Sequence, residues 1–532
     1  MQFIIIIISL NLSTAGRRPS PSIATVPGPV PPRPHPLHSR NLAQIDLYKC
    51  FAKEPTIGEV LGYAVSRCWC EGRSNPPPLN MSSLSMSSCM ANLALMLYGL
   101  ETGWMSPITR SLQSDESPIG VPLTDNEVSL VASILCVFGA ISAPFYSYIA
   151  DIYGRKYAVI TVPTFGMLSW ITRLSFPSTV GLVVGRAFAG VAAGGSFIVV
   201  PMYVKEISQD DIRGLLGSLL VMALNSGILF MYIMGAYLDY FLVLWMVLSL
   251  SILTIVLMIK MPESPSFLVK KGYVEEATKT IAFLRGLDVD NESVKREIDI
   301  LKKQQLYFES LPKTSLVAIF KNKNWRGLVI LALLIITVHA TNGTFAIINY
   351  GSSILASSGV QSSISAEMQA LSFPVMLIIG SLVSMGCVER FGRKPLLVGC
   401  LLISACSTGS MGCGMLLQAN GISPPSWLPV LAMVCTIFGY AAGICPLPFI
   451  IMSEMLNFQI RAKVMGLVLM HSWCMSFLQL MLYAPITATL GMYTTFFCFA
   501  GINLVGFFVA LILLPETKGK SDEQIEEEFR KK

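Results

Sequence analysis

The feature that most constrains this chain is a charged loop that appears twice. Asp151-Ile-Tyr-Gly-Arg-Lys156 separates the apolar runs 128–150 and 157–175, and Glu389-Arg-Phe-Gly-Arg-Lys394 separates two more far downstream. Both read acid, any residue, aromatic, Gly, Arg, Lys. Other pieces recur in the same order. Lys205-Glu206 followed by Arg213 is matched by Ser453-Glu454 followed by Arg461, and Pro262-Glu-Ser-Pro265 is matched by Pro515-Glu-Thr-Lys518. A chain that repeats its loops in one order is built from two related halves, an arrangement found among multi-span membrane proteins.

The 532 residues are 53% hydrophobic and only 13% charged, with a mean hydropathy of +0.62. Soluble domains carry about 25% charged residues. The apolar content comes in runs of roughly 20 residues, the length that crosses a hydrocarbon core of about 30 Å. The expected fold is therefore an all-α membrane protein with the lipid bilayer as its main partner. A net charge of +6 spread over alternate loops fits an orientation bias and not nucleic-acid binding. The 13 cysteines lie mostly inside apolar runs without paired spacing. They read as small helix residues, and Cys68-Trp-Cys70 lacks the second pair a zinc site needs. There is no Gly-rich phosphate loop, no nucleophile–base set and no metal-ligand cluster, so neither an enzyme nor a cofactor is expected.

Twelve spans are expected, at 89–109, 127–150, 157–175, 179–203, 214–236 and 241–260 in a first half, then 327–350, 367–388, 395–417, 428–452, 463–486 and 492–514 in a second. This divides the chain into a disordered cytoplasmic extension (1–88), a six-helix half (89–260), a helical linker (261–325), a second half (326–514) and a tail (515–532). Within the extension, Phe3–Leu10 is too short to span, and residues 1–40 read as an extension of the gene model. Asn80-Met-Ser82 fits a glycosylation sequon but would face the cytoplasm. Arg155, Lys156, Lys205, Arg213, Lys270, Arg393, Lys394, Arg461 and Lys463 fall on one side, whereas loops 351–366, 418–427 and 487–491 hold no Lys or Arg. The positive-inside rule puts both termini and the linker in the cytoplasm. In the linker, 274–285 and 293–305 have helical charge spacing.

At this point the chain resembles the sugar porter branch of the major facilitator superfamily, and within it the insect facilitated trehalose transporters. The resemblance covers about residues 89–520. It rests on the two loops above together with Gly185-Arg186, Pro201-x-Tyr203-x-x-Glu206, Arg213-Gly214-x-x-Gly217, Gly227-Ile-Leu229, Pro262-Glu-Ser-Pro265, Pro446-x-Pro448 with Glu454, and Pro515-Glu-Thr-Lys-Gly519. Asn225 leans toward the trehalose branch. Any one of these motifs is weak, but the ordered set is specific.

The resemblance implies a transporter of a small-molecule sugar, trehalose or a hexose, working by alternating access in the plasma membrane. Its charged loops would latch the cytoplasmic ends together. Arg155 would pair with Glu206 and Arg393 with Glu454, and Asp151 and Glu389 would sit near Arg461 and Arg213. The alternative is that these charges are only topology signals and helix caps. The sugar clamp departs from the family pattern. Where sugar porters carry two glutamines and an asparagine in span 7, this chain has His339-Ala-Thr-Asn-Gly-Thr-Phe345. The polar positions of spans 5 and 8 read Val221 and Leu377, the tryptophan of span 10 reads Phe449, and an asparagine–tryptophan pair reads Ser472-Trp473. The residues left to line a cavity are Asn225, His339, Thr341, Asn342, Asn349, Tyr350, Phe449, Ser472 and Trp473. Three explanations compete: a larger or less polar solute, a clamp rebuilt from other residues, or a sensor that no longer transports.

Glu101 lies in the middle of span 1. An acid there is costly, by about 2.5–3.5 kcal/mol on insertion scales, and marks function by default. In the family's proton symporters an acid at this position couples to an arginine at the position of Arg186. Facilitative transport is the first expectation, and a Glu101–Arg186 proton-coupled symporter is the alternative.

Overall fold

A computed structural model describes residues 81–209, 213–310, 315–358, 365–456, 458–520 and 524. The N-terminal extension up to residue 80, with its sequon asparagine and Cys68-Trp-Cys70, lies outside the described residues. Every regular element among the described residues is helical. Helices α1 (Met81–Gly103) and α2 (Met105–Leu112) precede α3 (Asp125–Ile152), α4 (Arg155–Ser175), α5 (Thr179–Ile207), α6 (Arg213–Tyr237) and α7 (Tyr240–Ile259). The linker forms α8 (Pro265–Lys270), α9 (Val274–Arg285), α10 (Glu292–Ser310) and α11 (Leu316–Lys321). Then come α12 (Lys323–Thr341), α13 (Thr344–Ser357), α14 (Ala366–Ala370), α15 (Ser372–Phe391), α16 (Arg393–Ala419), α17 (Leu428–Gly439), a π-helical turn (Tyr440–Ile444), α18 (Pro446–Met455), α19 (Phe458–Leu490) and α20 (Met492–Leu513).

Ten stretches among the described residues are long and apolar enough to cross a membrane. Helices α1 and α4 fall outside that set. The first begins with Ser82, Ser83, Ser85, Ser87 and Ser88, and the second carries Arg155, Lys156 and Arg173. Helix starts eight residues before the expected first span, so 81–88 is helical and not a disordered extension. Met81, Leu84, Met86 and Met90 are good helix formers and outweigh the serines between them.

Local signals set several boundaries. Thr124 and Glu127 form a reciprocal capping box at the start of α3. Gly154 and Gly392 end the repeated loops with φ of +111° and +89°, a backbone that only glycine adopts without strain. Gly343 (φ +98°) separates α12 from α13 inside one apolar stretch. Asn342 bridges that break: its Nδ2 donates to His339 O at 2.9 Å and its Oδ1 accepts from Thr344 N at 2.7 Å.

Helix faces divide as a bilayer requires. On α7, Val243, Leu244, Val247, Ser251 and Thr254 are buried, while Leu242, Trp245, Ile252, Leu253 and Val256 are exposed apolar surface. One large apolar cluster joins α1–α7 to α13–α17, α19 and α20, and a second lies among α11–α20. The linker has its own small core of Leu268, Val269, Ala277, Ile281, Ala282, Val294 and Ile298.

Contacts between the two halves gather at the end opposite the repeated loops. Ser352 N donates to Ser106 Oγ at 3.2 Å, Tyr232 OH donates to Ile348 O at 2.7 Å, and Arg110 pairs with Glu367. Nearer the middle, Asn225 Nδ2 donates to Ser381 Oγ at 2.9 Å and Leu377 O at 3.3 Å.

Helices α1 and α6 touch through their backbones. A Cβ at Gly99 would lie 2.1 Å from Leu224 O, and one at Gly227 would lie 2.2 Å from Met96 O. Such small-residue seams let helices associate where no hydrophobic drive separates them from lipid. Gly227→Val is expected to force α1 and α6 apart, at a cost of at least about 1–3 kcal/mol. Fluorescence-detected size-exclusion chromatography should show loss of the monodisperse peak, whereas Gly217→Ala, with open space at its Cβ, should leave it intact.

Candidate functional site

The duplicated loops build duplicated ties. Arg155 Nε reaches both carboxylate oxygens of Glu206, at 3.1 and 3.0 Å, and its Nη1 donates to Ala150 O at 2.9 Å. In the second copy, Arg393 Nη2 and Nε reach Glu454 Oε1 at 3.1 and 3.3 Å. Each arginine thus meets an acid within its own half, Glu206 in the last turn of α5 and Glu454 in the last turn of α18. The two remaining loop acids find partners in their own half or, for Asp151, also in the linker. Asp151 pairs with Lys270 at 2.9 Å and Arg155 at 3.6 Å, and Glu389 pairs with Arg393 at 3.3 Å. Arg461 Nε donates to Leu456 O at 3.0 Å, and the side chain of Arg213 lies outside the described residues.

Sequence reasoning missed a second carboxylate in each tie. Glu263 Oε1 accepts from the backbone N–H of Arg155 at 2.9 Å and of Lys156 at 3.1 Å. Glu516 accepts from the N–H of Arg393 and of Lys394, both at 3.1 Å. The acid that follows the last helix of each half therefore caps the N-terminus of the helix after the repeated loop, α4 or α16, where orphan N–H groups and the helix dipole favour an anion. The signal was present in the sequence, in the shared Pro-Glu of Pro262-Glu263 and Pro515-Glu516. It went unread because capping partners more than a hundred residues apart leave no local pattern.

The two caps differ electrostatically. Burial pushes the Glu263 carboxyl above the usual glutamate range, despite the N–H groups of Ser264, Lys156 and Arg155. Glu516 also pays a desolvation cost, but the N–H groups of Lys518, Arg393, Lys394 and Thr517 together hold it below that range.

At mid-membrane the candidates separate into two groups. Asn225, Asn342 and Asn349 are buried and engaged with neighbours, Asn349 through Nδ2 to Phe345 O at 2.8 Å. Tyr350 is buried and stacks on Tyr483 with centroids 4.7 Å apart. Trp473 is buried against Gly139 and packs edge-on to Tyr98 and Phe197, so it joins the two halves, and Ser472 beside it is buried as well. His339 and Phe449 are half-buried and in edge contact at 5.4 Å, and His339 also stacks on half-buried Tyr440 at 5.7 Å. Thr341, half-buried, turns back to Thr337 O at 2.7 Å.

A missing donor explains where His339 sits. In a regular helix Ile444 O would accept from the N–H of residue 448, which is a proline and has none. The chain winds into a π turn here, with Cys445 N donating to Tyr440 O at 2.8 Å. The orphaned Ile444 O lies 2.9 Å from His339 Nδ1. A carbonyl only accepts, so Nδ1 carries the proton and Nε2 of the neutral ring is left as an acceptor.

Glu101 is 3% exposed and sits between two arginines. Arg173 Nη2 is 2.6 Å from its Oε2 and Arg186 Nη1 is 3.8 Å from the same oxygen, with Arg186 Nη1 also donating to Glu101 O at 2.8 Å. Ser169 Oγ donates to Oε1 at 3.0 Å. Arg173 was not foreseen, because a basic residue two positions from the end of α4 reads as a span boundary. No group of three or more His, Cys, Asp or Glu with metal-binding geometry occurs among the described residues.

The unequal caps predict unequal responses to neutralisation. A depressed carboxyl stabilises the fold above its unfolded value, about 4.3, and that stability is lost as pH falls through the lower folded value. A raised carboxyl behaves oppositely: its charged form is a liability at neutral pH, relieved on acidification. Glu516→Gln should therefore lower the melting temperature at pH 7, with the gap to wild type closing below about pH 4. Glu263→Gln should be neutral or slightly stabilising at pH 7. Scanning fluorimetry of the purified protein in detergent reads both.

Comparison with known proteins supplies a family. Residues 87–529 match the family model "Sugar (and other) transporter". The facilitated trehalose transporter of Anopheles gambiae is 27% identical over 456 residues, 85% of this chain but 57% of the mosquito protein. That of Culex quinquefasciatus is 26% identical, covering 83% of this chain and 84% of its own length. Among solved structures, the inward-open xylose transporter of E. coli superposes with a TM-score of 0.68 at 17% identity, over 84% of this chain and 99% of the other. The same bacterial protein as a proton:xylose symporter bound to 6-bromo-6-deoxy-D-glucose gives 0.65 at 18% identity, over 85% of this chain and all of the other. The fold is thus that of the major facilitator superfamily, and with a family match running through both copies of the repeated loop, this chain belongs to the sugar (and other) transporter family.

Proposed function

We propose that the protein is a facilitative carrier of trehalose or a hexose, with twelve spans in two six-helix halves, both termini and the linker in the cytoplasm, and a plasma-membrane location. It works by alternating access, the halves rocking about a central site. The observation that carries this reading is the duplicated tie. Arg155–Glu206–Glu263 and Arg393–Glu454–Glu516 each bind the loop-side end of one half to itself. Each half is then stiff enough to rotate as a body, while cross-half bonds such as Ser106–Ser352 and Arg110–Glu367 close the opposite end. In the opposite state Asp151 and Glu389 exchange their present partners for Arg461 and Arg213 and latch the cytoplasmic ends. Single surface pairs contribute under about 1 kcal/mol, so the bias between states comes from the set.

For the substrate, His339 offers Nε2 as an acceptor between the rings of Tyr440 and Phe449, a combination suited to a hydroxyl on a ring with apolar faces. A second reading is favoured by one observation: Asn225, Asn342 and Asn349 are engaged internally. A solute with fewer hydroxyls than a disaccharide would fit the remaining groups, and a non-transporting sensor would need none of them.

Uptake of labelled trehalose and glucose into oocytes expressing the full chain, at external pH 5.5 and 7.5, should be saturable and the same at both values. No uptake of either sugar despite surface expression sinks the sugar assignment. His339→Ala should weaken uptake of the transported sugar by up to about tenfold, the worth of one net hydrogen bond. Competition by deoxy sugars should identify the hydroxyl concerned.

A further inference from the structure

A lone carboxylate buried among membrane helices is, by its cost alone, a candidate to take up and release protons. Glu101 is not alone. We infer that Arg173 is the positioning residue that removes Glu101 from proton exchange, and that this is what makes transport through this chain independent of pH. The inference deepens the carrier reading above and rests on it.

Four observations support it. The first is the charge count: the cluster holds two guanidiniums and one carboxylate, so a proton added to Glu101 would leave two cations buried without a countercharge. The second is geometry. Arg173 Nη2 meets Glu101 Oε2 at 2.6 Å and Ser169 Oγ at 2.8 Å, while Ser169 Oγ itself meets Oε1 at 3.0 Å, so both carboxylate oxygens accept from α4. The third is how Arg173 is held. Its guanidinium carbon lies 4.4 Å from the Trp104 ring centre and 4.3 Å from that of Trp170, and its Nε and Nη1 have no hydrogen-bond acceptor among the described residues. Two indole faces satisfy the cation where no oxygen does. The fourth is space made for it. A Cβ at Gly185 would lie 2.9 Å from Arg173 Cγ, so only glycine there lets the arginine stem pass between α4 and α5.

The other groups around Glu101 do not supply a proton path. From α5, Arg186 donates to the carbonyls of Glu101 and Val131. On α3, Cys136 is buried, and on α7, buried Tyr240 packs against Trp104 with ring centres 6.4 Å apart. On α1 itself, Tyr98 is buried against Trp473. Helix α6 presents the backbone of Gly227 and Ile228. Arg173 and Arg186 are 0% and 1% exposed. Relieving Glu101 of Arg173 leaves a one-to-one pair with Arg186, whose contact to the carboxylate is the longer one, at 3.8 Å. That pair can open to accept a proton without stranding a second cation.

The test is sugar uptake at external pH 5.5 and 7.5 by wild type, Arg173→Met, Arg173→Lys and the double variant Glu101→Gln/Arg173→Met, each normalised to surface protein. Wild type and Arg173→Lys should be flat. Arg173→Met should gain several-fold faster uptake at pH 5.5 than at 7.5, and the double variant should be flat again. Arg173→Met that transports with the wild-type profile overturns the inference. Wild type that transports no sugar instead defeats the carrier reading, a separate outcome. Should Arg173→Met fail to reach the surface, infrared difference spectra of purified wild type and Glu101→Gln between pH 5 and 8 decide. A protonated-carboxyl band present in wild type and missing from Glu101→Gln overturns the inference; its absence throughout the range is the expected result.

Discussion

Inside a bilayer no water is at hand to satisfy a stray peptide group, so every break in a helix must be repaired by the protein itself. The centre of this molecule follows from that constraint. Gly343 interrupts a span, and Asn342 satisfies both sides of the interruption. Pro448 deprives Ile444 of its donor, and His339 replaces it from a different helix. The same interactions that repair the backbone fix the side chains at the proposed substrate site. The ring of His339 is oriented by a carbonyl that regular helix would have consumed.

Charge in the interior obeys the same rule. Glu101 is matched by Arg173 and Arg186, and Arg173 by the faces of Trp104 and Trp170. At the loop end the acids cap helices and pair with arginines at once, so Glu206 and Glu263 converge on one arginine residue, through its side chain and its N–H. The halves repeat this arrangement in outline but not in burial, which is why their two capping carboxyls are displaced in opposite directions.

Much of this was legible in the sequence. Apolar runs mark the ten stretches long and apolar enough to cross a membrane, the paired loops point to the repeat, and Val274–Arg285 in the linker is helical at the boundaries its charge spacing predicts. The pairs Arg155–Glu206 and Arg393–Glu454 come together because each joins ends of neighbouring helices. What the sequence hid was long-range or depended on something missing. Glu263 and Glu516 act more than a hundred residues from their positions. Tyr440 owes its place to a π turn, and His339 to a proline's absent N–H. Asn225, Asn342 and Asn349 look like a polar lining in a list of residues. In three dimensions they brace helices, because an amide in an apolar setting engages the nearest backbone group before any solute arrives.

The linker offers one further consequence. Lys270 holds Asp151, and Arg285 donates to Ile207 O at 3.0 Å while pairing with Glu297 at 2.7 Å. Helices α8 to α10 are thereby fastened to the first repeat at two separate helix ends. They are thereby a single piece with it, so a displacement of the loop-side ends of α3 or α5 cannot leave the linker helices where they were.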